Sequence, residues 1–399
     1  MTYHKKIIAM ANELESQLIS WRRHFHQHPE LSFQETKTSQ YVCQVLEKLP
    51  GMKVEKKSGN TAVIGTISNG EGPTLALRAD MDALPIQEEN NVNYASKHKG
   101  IMHACGHDAH TAILLGAATV LSKIMQDGEF EGTVKFLFQP AEETTDDQGL
   151  SGAQHLIRNG VLDDVDGAVA LHMCPWLHVG HHQVHDGPSM ANVDVFQAEI
   201  HGSGGHSAYP NLGTDPIWMA NQVLNVLYSI VSRRISPLEE AVVSVGRIEA
   251  GKSDNVIPAM IQIDGTIRSY SKKVREQLTD EVKKAFSIVD SLGGEAEVTI
   301  NYGEPALMND LQMNQYITDA ISALYPNDEI VREPFGLGGE DFGYISERLP
   351  SAMFFLGCRQ QGDIQRDLHT PIFDIDEGCL AKGVAIMSFL ATQYLQPTR

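Results

Sequence analysis

Hydrophobic and polar positions follow two rhythms along the chain, and their order predicts the architecture. Near the start, Ile7, Ile8, Ala11, Leu14, Leu18 and Trp21 recur at three- and four-residue steps, the pattern of one helix with a single apolar face. A second helix is expected from Glu35-Thr-Lys-Thr-Ser through Tyr41-Val-Cys-Gln-Val-Leu46. Four short runs read as buried strands: Thr74-Leu-Ala-Leu77, Thr133-Val-Lys-Phe-Leu-Phe138, Ala168-Val-Ala-Leu171 and Met353-Phe-Phe-Leu356. Helix-forming stretches such as 108–126 lie between them. An α/β fold with a mostly parallel sheet flanked by helices follows.

The rhythm changes from about Ser189 to Glu304. Val193–Ile200 alternates like a half-buried strand, and Thr214-Asp-Pro216 starts a helix running through Ile217–Arg234. Strands at Ala241–Ile248 and Ile261–Ile267 follow, then a helical stripe at Val274, Leu278, Val282, Ala285 and Val289, then a strand at Glu297–Tyr302. This β-α-β-β-α-β order is the ferredoxin-like α+β unit. The expected division is therefore residues 1–188 and 305–399 as the two parts of one domain, with 189–304 inserted.

Composition narrows the function classes. The 399 residues are 42% hydrophobic and 21% charged, which is globular. A formal net charge of −20 repels phosphate backbones and argues against nucleic acid as a partner. The five cysteines are scattered and odd in number, so no disulfide framework is expected. Met1-Thr-Tyr-His-Lys-Lys lacks the apolar core of a signal peptide, and no apolar run reaches membrane-spanning length. No membrane partner and a cytoplasmic setting are the resulting expectations.

Three of the four strands end on chemistry: Arg78-Ala-Asp-Met-Asp82, Gln139-Pro-Ala-Glu-Glu143 and His172. In open α/β sheets ligands bind outside the carboxyl ends of strands. The segment His103-Ala-Cys-Gly-His-Asp-Ala-His110 adds three imidazoles, a thiol and a carboxylate. If extended, Cys105-x-His107 points both side chains to one side, and sulfur with imidazole nitrogen suits zinc and its first-row neighbours. The structural alternative is a helix start with a buried thiol and surface histidines. His24, His26 and His28 precede Pro29 and read as surface or capping groups.

Glu142 and Glu143 are adjacent, and in extended backbone they point apart; one then ligates metal while the other stays free as a base. Leu368-His-Thr-Pro371 supplies a further histidine. Cys105, His107, Glu143, His172 and His369 thus offer five donors from four segments. One zinc needs four ligands, so five fit two cations about 3.5–4 Å apart around an activated water. Glu142 is placed to take the water's proton and pass it to a leaving nitrogen.

At this point the sequence resembles the dinuclear metallo-amidohydrolases. These include hippurate hydrolase, N-acyl-amino-acid amidohydrolases, N-acetyldiaminopimelate deacetylase and the plant indole-acetyl-amino-acid hydrolases, relatives of aminoacylase and the glutamate-releasing carboxypeptidases. The resemblance rests on the segments quoted above and on Arg22-Arg-His-Phe-His-Gln-His-Pro-Glu30 and Gly202-Ser-Gly-Gly-His-Ser-Ala-Tyr-Pro210. Asn255-Val-Ile-Pro258, Gly265-Thr-Ile-Arg-Ser269 and Gly338-Gly-Glu-Asp-Phe-Gly343 extend it nearly end to end.

The resemblance implies a metallo-exopeptidase-type catalytic domain and an inserted lid and dimerisation domain. It implies hydrolysis of the amide bond of N-acyl amino acids, with two divalent ions per subunit (zinc or manganese, with cobalt or nickel also accepted). Cys105, His107, Glu143, His172 and His369 would be the ligands and Glu142 the general base. Asp82 would support the centre, although position 80 is Asp80 where the wider family has a histidine ligand. His206 would reach a partner subunit's site to polarise the scissile carbonyl, in a homodimer or higher homo-oligomer. Asn255 and Arg268 would hold the substrate, Arg268 through a planar fork suited to a carboxylate. The competing readings are a dipeptidase or carboxypeptidase on the same scaffold, a thiol hydrolase using Cys105, and a non-catalytic metal-binding protein.

Overall fold

The computed structural model describes residues 3–56, 61–128, 130–362 and 364–396. They form two compact units: Met1–Gly187 with Met308–Phe335 and Tyr344–Arg399, and Pro188–Leu307 with Gly336–Gly343.

The first unit is built on an eight-stranded sheet. Its strand order is Lys53–Lys56, Val63–Asn69, Gly132–Gln139, Thr74–Asp80, Gly167–His178, Ser351–Arg359, His181–Gln183, Glu329–Val331. The central pairings, from Gly132–Gln139 across to Ser351–Arg359, are parallel, and antiparallel pairings lie toward the edges. The central strands are buried almost throughout, as parallel strands covered on both faces must be. The expected mostly parallel sheet is present.

Two helices fill the centre of this unit's core. His107–Gln126 and Cys379–Tyr394 are apolar nearly all round, the property of a helix with no solvent face. A Cβ on Gly116 would fall 2.5 Å from Val384 Cγ2 and 2.7 Å from Leu18 Cδ2, so glycine there permits close helix packing. At the N-terminus, the single helix expected through Trp21 is two, Tyr3–Glu13 and Glu15–Gln27, broken at Leu14; nothing in the sequence marks that break. The strand read as ending at Leu171 continues to His178, so His172 lies within it rather than after it.

The second unit is the ferredoxin-like module. Its antiparallel sheet runs in the order Ala241–Ala250, Met260–Ser269, Asn192–His201, Glu295–Tyr302. Phe196, Ala198 and Ile200 alternate inward on Asn192–His201 and share a core with Val223, Ile263, Ile267, Leu278 and Val282. Asp215 caps Pro216–Leu227 by accepting from the Ile217 and Trp218 amides. Ser271 caps Lys272–Phe286 through the Val274 amide. Among the described residues, no helix of either unit is long and apolar enough to cross a membrane.

Candidate metal centre

The segment around Cys105 is not extended. Gly106 adopts φ +88°, and His107 opens the helix His107–Gln126. A Cβ on Gly106 would fall 2.7 Å from Met173 Cγ, so only glycine lets this left-handed bend nestle against the neighbouring strand. The bend still brings the two side chains together, by a route the spacing argument did not foresee. Cys105, His107 and His172 offer ligand atoms all within 4.8 Å of one another. Cys105, Glu143 and His369 form a second such trio, and Cys105 belongs to both.

Contacts within the cluster are close: Cys105 Sγ to His172 Nε2 3.4 Å, His369 Nε2 to Glu143 Oε1 3.3 Å, and His107 Nε2 to Glu143 Oε1 3.9 Å. Cys105, His107 and His172 are buried, Glu143 is largely so, and the His369 side chain is half-exposed on a φ of +59°. The turn carrying the two glutamates is not extended either, because Ala141 sits at φ +50°. Glu142 and Glu143 consequently do not diverge: both lie within the same 4.8 Å grouping as His107.

Hydrogen bonds decide which nitrogens are free to ligate. His107 Nδ1 donates to the Asp82 carbonyl oxygen at 2.9 Å, and His172 Nδ1 donates to the Met173 carbonyl oxygen at 2.8 Å. Each carbonyl can only accept, so each Nδ1 carries a proton and Nε2 is the nitrogen left to give a lone pair to a cation. His107 Nε2 and Glu143 Oε1 are buried polar atoms with no hydrogen-bond partner. Such atoms are costly unless something else satisfies them, and a cation would do so here. Burial alone lowers the His107 pKa, but Asp80, Asp82 and Glu143 push it up to about 10, which registers the negative potential. Soft sulfur, two imidazoles facing the cluster through Nε2 and a carboxylate make a donor set that fits divalent first-row metals.

Asp80 is engaged elsewhere. Its Oδ2 accepts from Arg78 Nη1 and its Oδ1 from His110 Nδ1, both at 2.6 Å. His110 Nε2 accepts the Met173 amide at 2.8 Å, so both its nitrogens are used. Burial opposes ionisation of Asp80, yet His107, Arg78 and His110 together hold its pKa well below the usual carboxylate range. Asp82 accepts from the Glu142 amide at 3.1 Å, the Glu143 amide at 3.0 Å and Ser32 Oγ at 2.7 Å. His103 is buried, its pKa lowered to about 4 chiefly by burial, and neither ring nitrogen has a hydrogen-bond partner.

The second unit holds the remaining predicted residues. His206 and Val256 pair across the short strands Gly205–His206 and Val256–Ile257, which sets Asn255 beside the histidine loop. His206 is exposed, and its Nδ1 accepts the Ala208 amide at 3.0 Å, leaving Nε2 as the protonated nitrogen. Asn255 Oδ1 accepts from Ser253 Oγ at 2.6 Å. Arg268 lies on Met260–Ser269, and its Nη1 donates to the Leu337 carbonyl oxygen at 3.0 Å.

Sequence reasoning mistook one histidine and passed over its partners. His26 is fully buried, not a surface or capping group; its Nδ1 meets Asp108 Oδ2 at 2.7 Å and its Nε2 meets Glu88 Oε1 at 3.2 Å. Burial and Arg22 lower its pKa, but the two carboxylates prevail and raise it. Arg22 completes this buried charge cluster. The signal was a charged residue on the apolar side of a helix: Arg22, adjacent to Trp21 and three before Phe25, falls where a hydrophobic residue would. The other four cysteines, Cys43, Cys174, Cys358 and Cys379, are free and buried.

A sequence profile of peptidase family M20/M25/M40 matches residues 76–393. The chain is 42% identical over 378 residues to N-acetyl-L-cysteine deacetylase of Bacillus subtilis (strain 168), covering 93% of this chain and 86% of that protein. It is 38% identical over 389 residues to thermostable carboxypeptidase 2 of Saccharolobus solfataricus, covering 96% of each. The fold superimposes on a crystal structure of a dinuclear metal-binding peptidase of the M20 family from Bacillus subtilis. The TM-score is 0.83 at 35% identity, covering 96% of this chain and 99% of that one.

Proposed function

The chain belongs to peptidase family M20/M25/M40, a family of hydrolases, and from that premise we propose that it hydrolyses the amide bond of N-acyl amino acids. The observation that carries the proposal is the pair of donor trios sharing Cys105, with Glu142 beside them and with Nδ1 of His107 and of His172 tied to backbone carbonyls so that Nε2 is left to ligate. A deacetylase and a carboxypeptidase among the relatives have one feature in common: each releases an amino acid from an amide or peptide bond to its nitrogen.

Cys105, His107, Glu143, His172 and His369 would hold two divalent ions, zinc or manganese by donor chemistry. When bound, such a pair acidifies water toward a pKa of about 7 and polarises a carbonyl. The chain's own residues do the rest. The Glu142 carboxylate takes a proton from the attacking water and delivers it to the departing nitrogen. Asp82 holds the Glu142 and Glu143 amides and, through the carbonyl that receives His107 Nδ1–H, keeps that imidazole in its ligating tautomer. His206 Nε2–H is a donor suited to the developing oxyanion, and we assign it that role across a homodimer. Arg268 and Asn255 are assigned to the substrate's carboxylate and amide.

The test is a panel of acetyl-, benzoyl- and indole-acetyl-amino acids beside dipeptides, run with metal-loaded wild type and Glu142→Gln. Turnover of acyl-amino acids that is abolished by chelator, restored by metal and lost in Glu142→Gln at unchanged metal content is expected. Full activity in that variant refutes the assigned base. Turnover that ignores chelator and yields to iodoacetamide favours a Cys105 thiol mechanism, and turnover of dipeptides alone favours the peptidase.

A further inference from the structure

We propose that Glu35, a residue with no part in the metal cluster, is a positioning residue for the general base, an inference that rests on the role given to Glu142 above. Glu35 stands at the N-terminus of the helix Thr36–Leu46, yet its side chain is fully buried. One carboxylate oxygen, Oε1, accepts the nearby Phe33 amide at 3.0 Å and the Ala141 amide at 2.9 Å, 106 residues along the chain. The other, Oε2, accepts Thr61 Oγ1 at 2.5 Å.

Ala141 is the first of three consecutive amides that end on buried carboxylates. Its amide goes to Glu35, and those of Glu142 and Glu143 go to Asp82 Oδ1 and Oδ2. This two-carboxylate cradle grips the backbone of the turn that presents both glutamates. The turn needs gripping because Ala141 lies at φ +50°, a left-handed conformation that costs an L-residue roughly 1–2 kcal/mol. From the far side, the Ala141 carbonyl accepts the Gly152 amide at 2.8 Å. A Cβ on Gly152 would fall 1.6 Å from the Pro140 oxygen, so glycine is required for that approach.

An interior carboxylate costs several kcal/mol to desolvate, and capping Phe33 alone does not account for it. Bracing the turn does: a shift of about 1 Å in a reacting group costs about a hundredfold in rate. Asp82 has partners in the metal-ligand network, whereas Glu35 touches no ligand side chain, so its variants isolate the bracing.

The experiment compares full-length, metal-loaded wild type, Glu35→Gln, Glu35→Asp and Glu35→Leu. It reads kcat and KM on an N-acetyl-amino acid that wild type cleaves, bound metal by elemental analysis, and amide exchange of the peptide 140–144. Gln keeps an oxygen in reach of Ala141, Asp is a methylene too short, and Leu has no acceptor. Gln should stay within threefold of wild-type kcat. Asp and Leu, whichever folds, should lose tenfold to a hundredfold in kcat with KM within twofold and metal content unchanged, and should show faster exchange at 140–144. Wild-type kcat in either of those two, or a Gln variant as slow as they are, overturns the bracing. An inactive wild type counts against the proposed function instead, so the two failures are told apart.

Discussion

Arg22 offers the sharpest test of how the chain supports its centre. The guanidinium is fully buried and donates from Nε to Asp108 Oδ2 and from Nη2 to Asp374 Oδ1, each at 2.9 Å, and from Nη1 to Glu377 Oε1 at 3.3 Å. Asp108 directly follows the predicted ligand His107 and is itself fully buried. Burial works against its charge, but Arg22 and His26 hold its pKa far below the usual carboxylate range. Arg22→Met keeps the stem's apolar volume and leaves Asp108 with only His26 and the Ala109 amide as partners. Breaking one side of a buried ion pair costs about 3–5 kcal/mol. At about 2.1 cal/mol/K per residue over the roughly 270 residues of the first unit, the melting temperature should fall by about 5–9 °C. Scanning calorimetry on Arg22→Met, Asp108→Asn and the double variant measures this. Because the harm comes from an unpaired charge, the double variant should be less destabilised than the two singles together, by about 2 kcal/mol or more. A single variant melting within 2 °C of wild type, or strict additivity, refutes the argument.

Further outcomes follow from the same geometry. Glu35 has its pKa raised to about 7, by burial first and Asp82 second, from 4.5. A raised carboxyl contributes stability that is full below about pH 4.5 and lost as pH rises to about 7, about 3 kcal/mol in all at 1.36 kcal/mol per unit. Chemical denaturation at pH 5 and pH 8 should show most of that loss in wild type and a flatter profile in Glu35→Gln; equal slopes would contradict the shift. Gly106→Ala forces a Cβ to 2.7 Å from Met173 Cγ at φ +88° and should weaken metal retention at least tenfold by displacing Cys105 and His107, read by competition with a chelating dye. Unchanged retention would remove Gly106 from the account. His206→Asn should lower kcat by about 10²–10³. Mixed with Glu142→Gln, it should recover up to a quarter of wild-type activity if His206 serves the partner's site; no recovery, with exchange of subunits demonstrated, denies the shared site.

The sequence made the strands and the donors legible because buried strands are continuous apolar runs and their ends carry the polar chemistry. Thr74–Asp80 ends on Asp80, and Gly132–Gln139 runs within three residues into Glu142 and Glu143, the acids singled out by their place after the apolar runs. Local backbone was not legible. The bends at Gly106 and Ala141 replaced the extended backbone assumed for Cys105-x-His107 and for the adjacent Glu142 and Glu143, and a positive φ at an alanine has no sequence signature. The partners of His26 were hidden for another reason. Asp108 and Glu88 lie 82 and 62 residues from it, and pairing over such distances is set by the fold. The same holds for Glu35 and Ala141, whose adjacency only the packed helix Thr36–Leu46 creates.

The claim on which the rest depends is that these five donors grip two cations. It is tested most directly by anomalous difference density from crystals of the metal-loaded enzyme. Two peaks are predicted, one beside His107 Nε2 and His172 Nε2 and one beside Glu143 and His369, with Cys105 Sγ in contact with both. A single peak, or peaks away from Cys105, contradicts it.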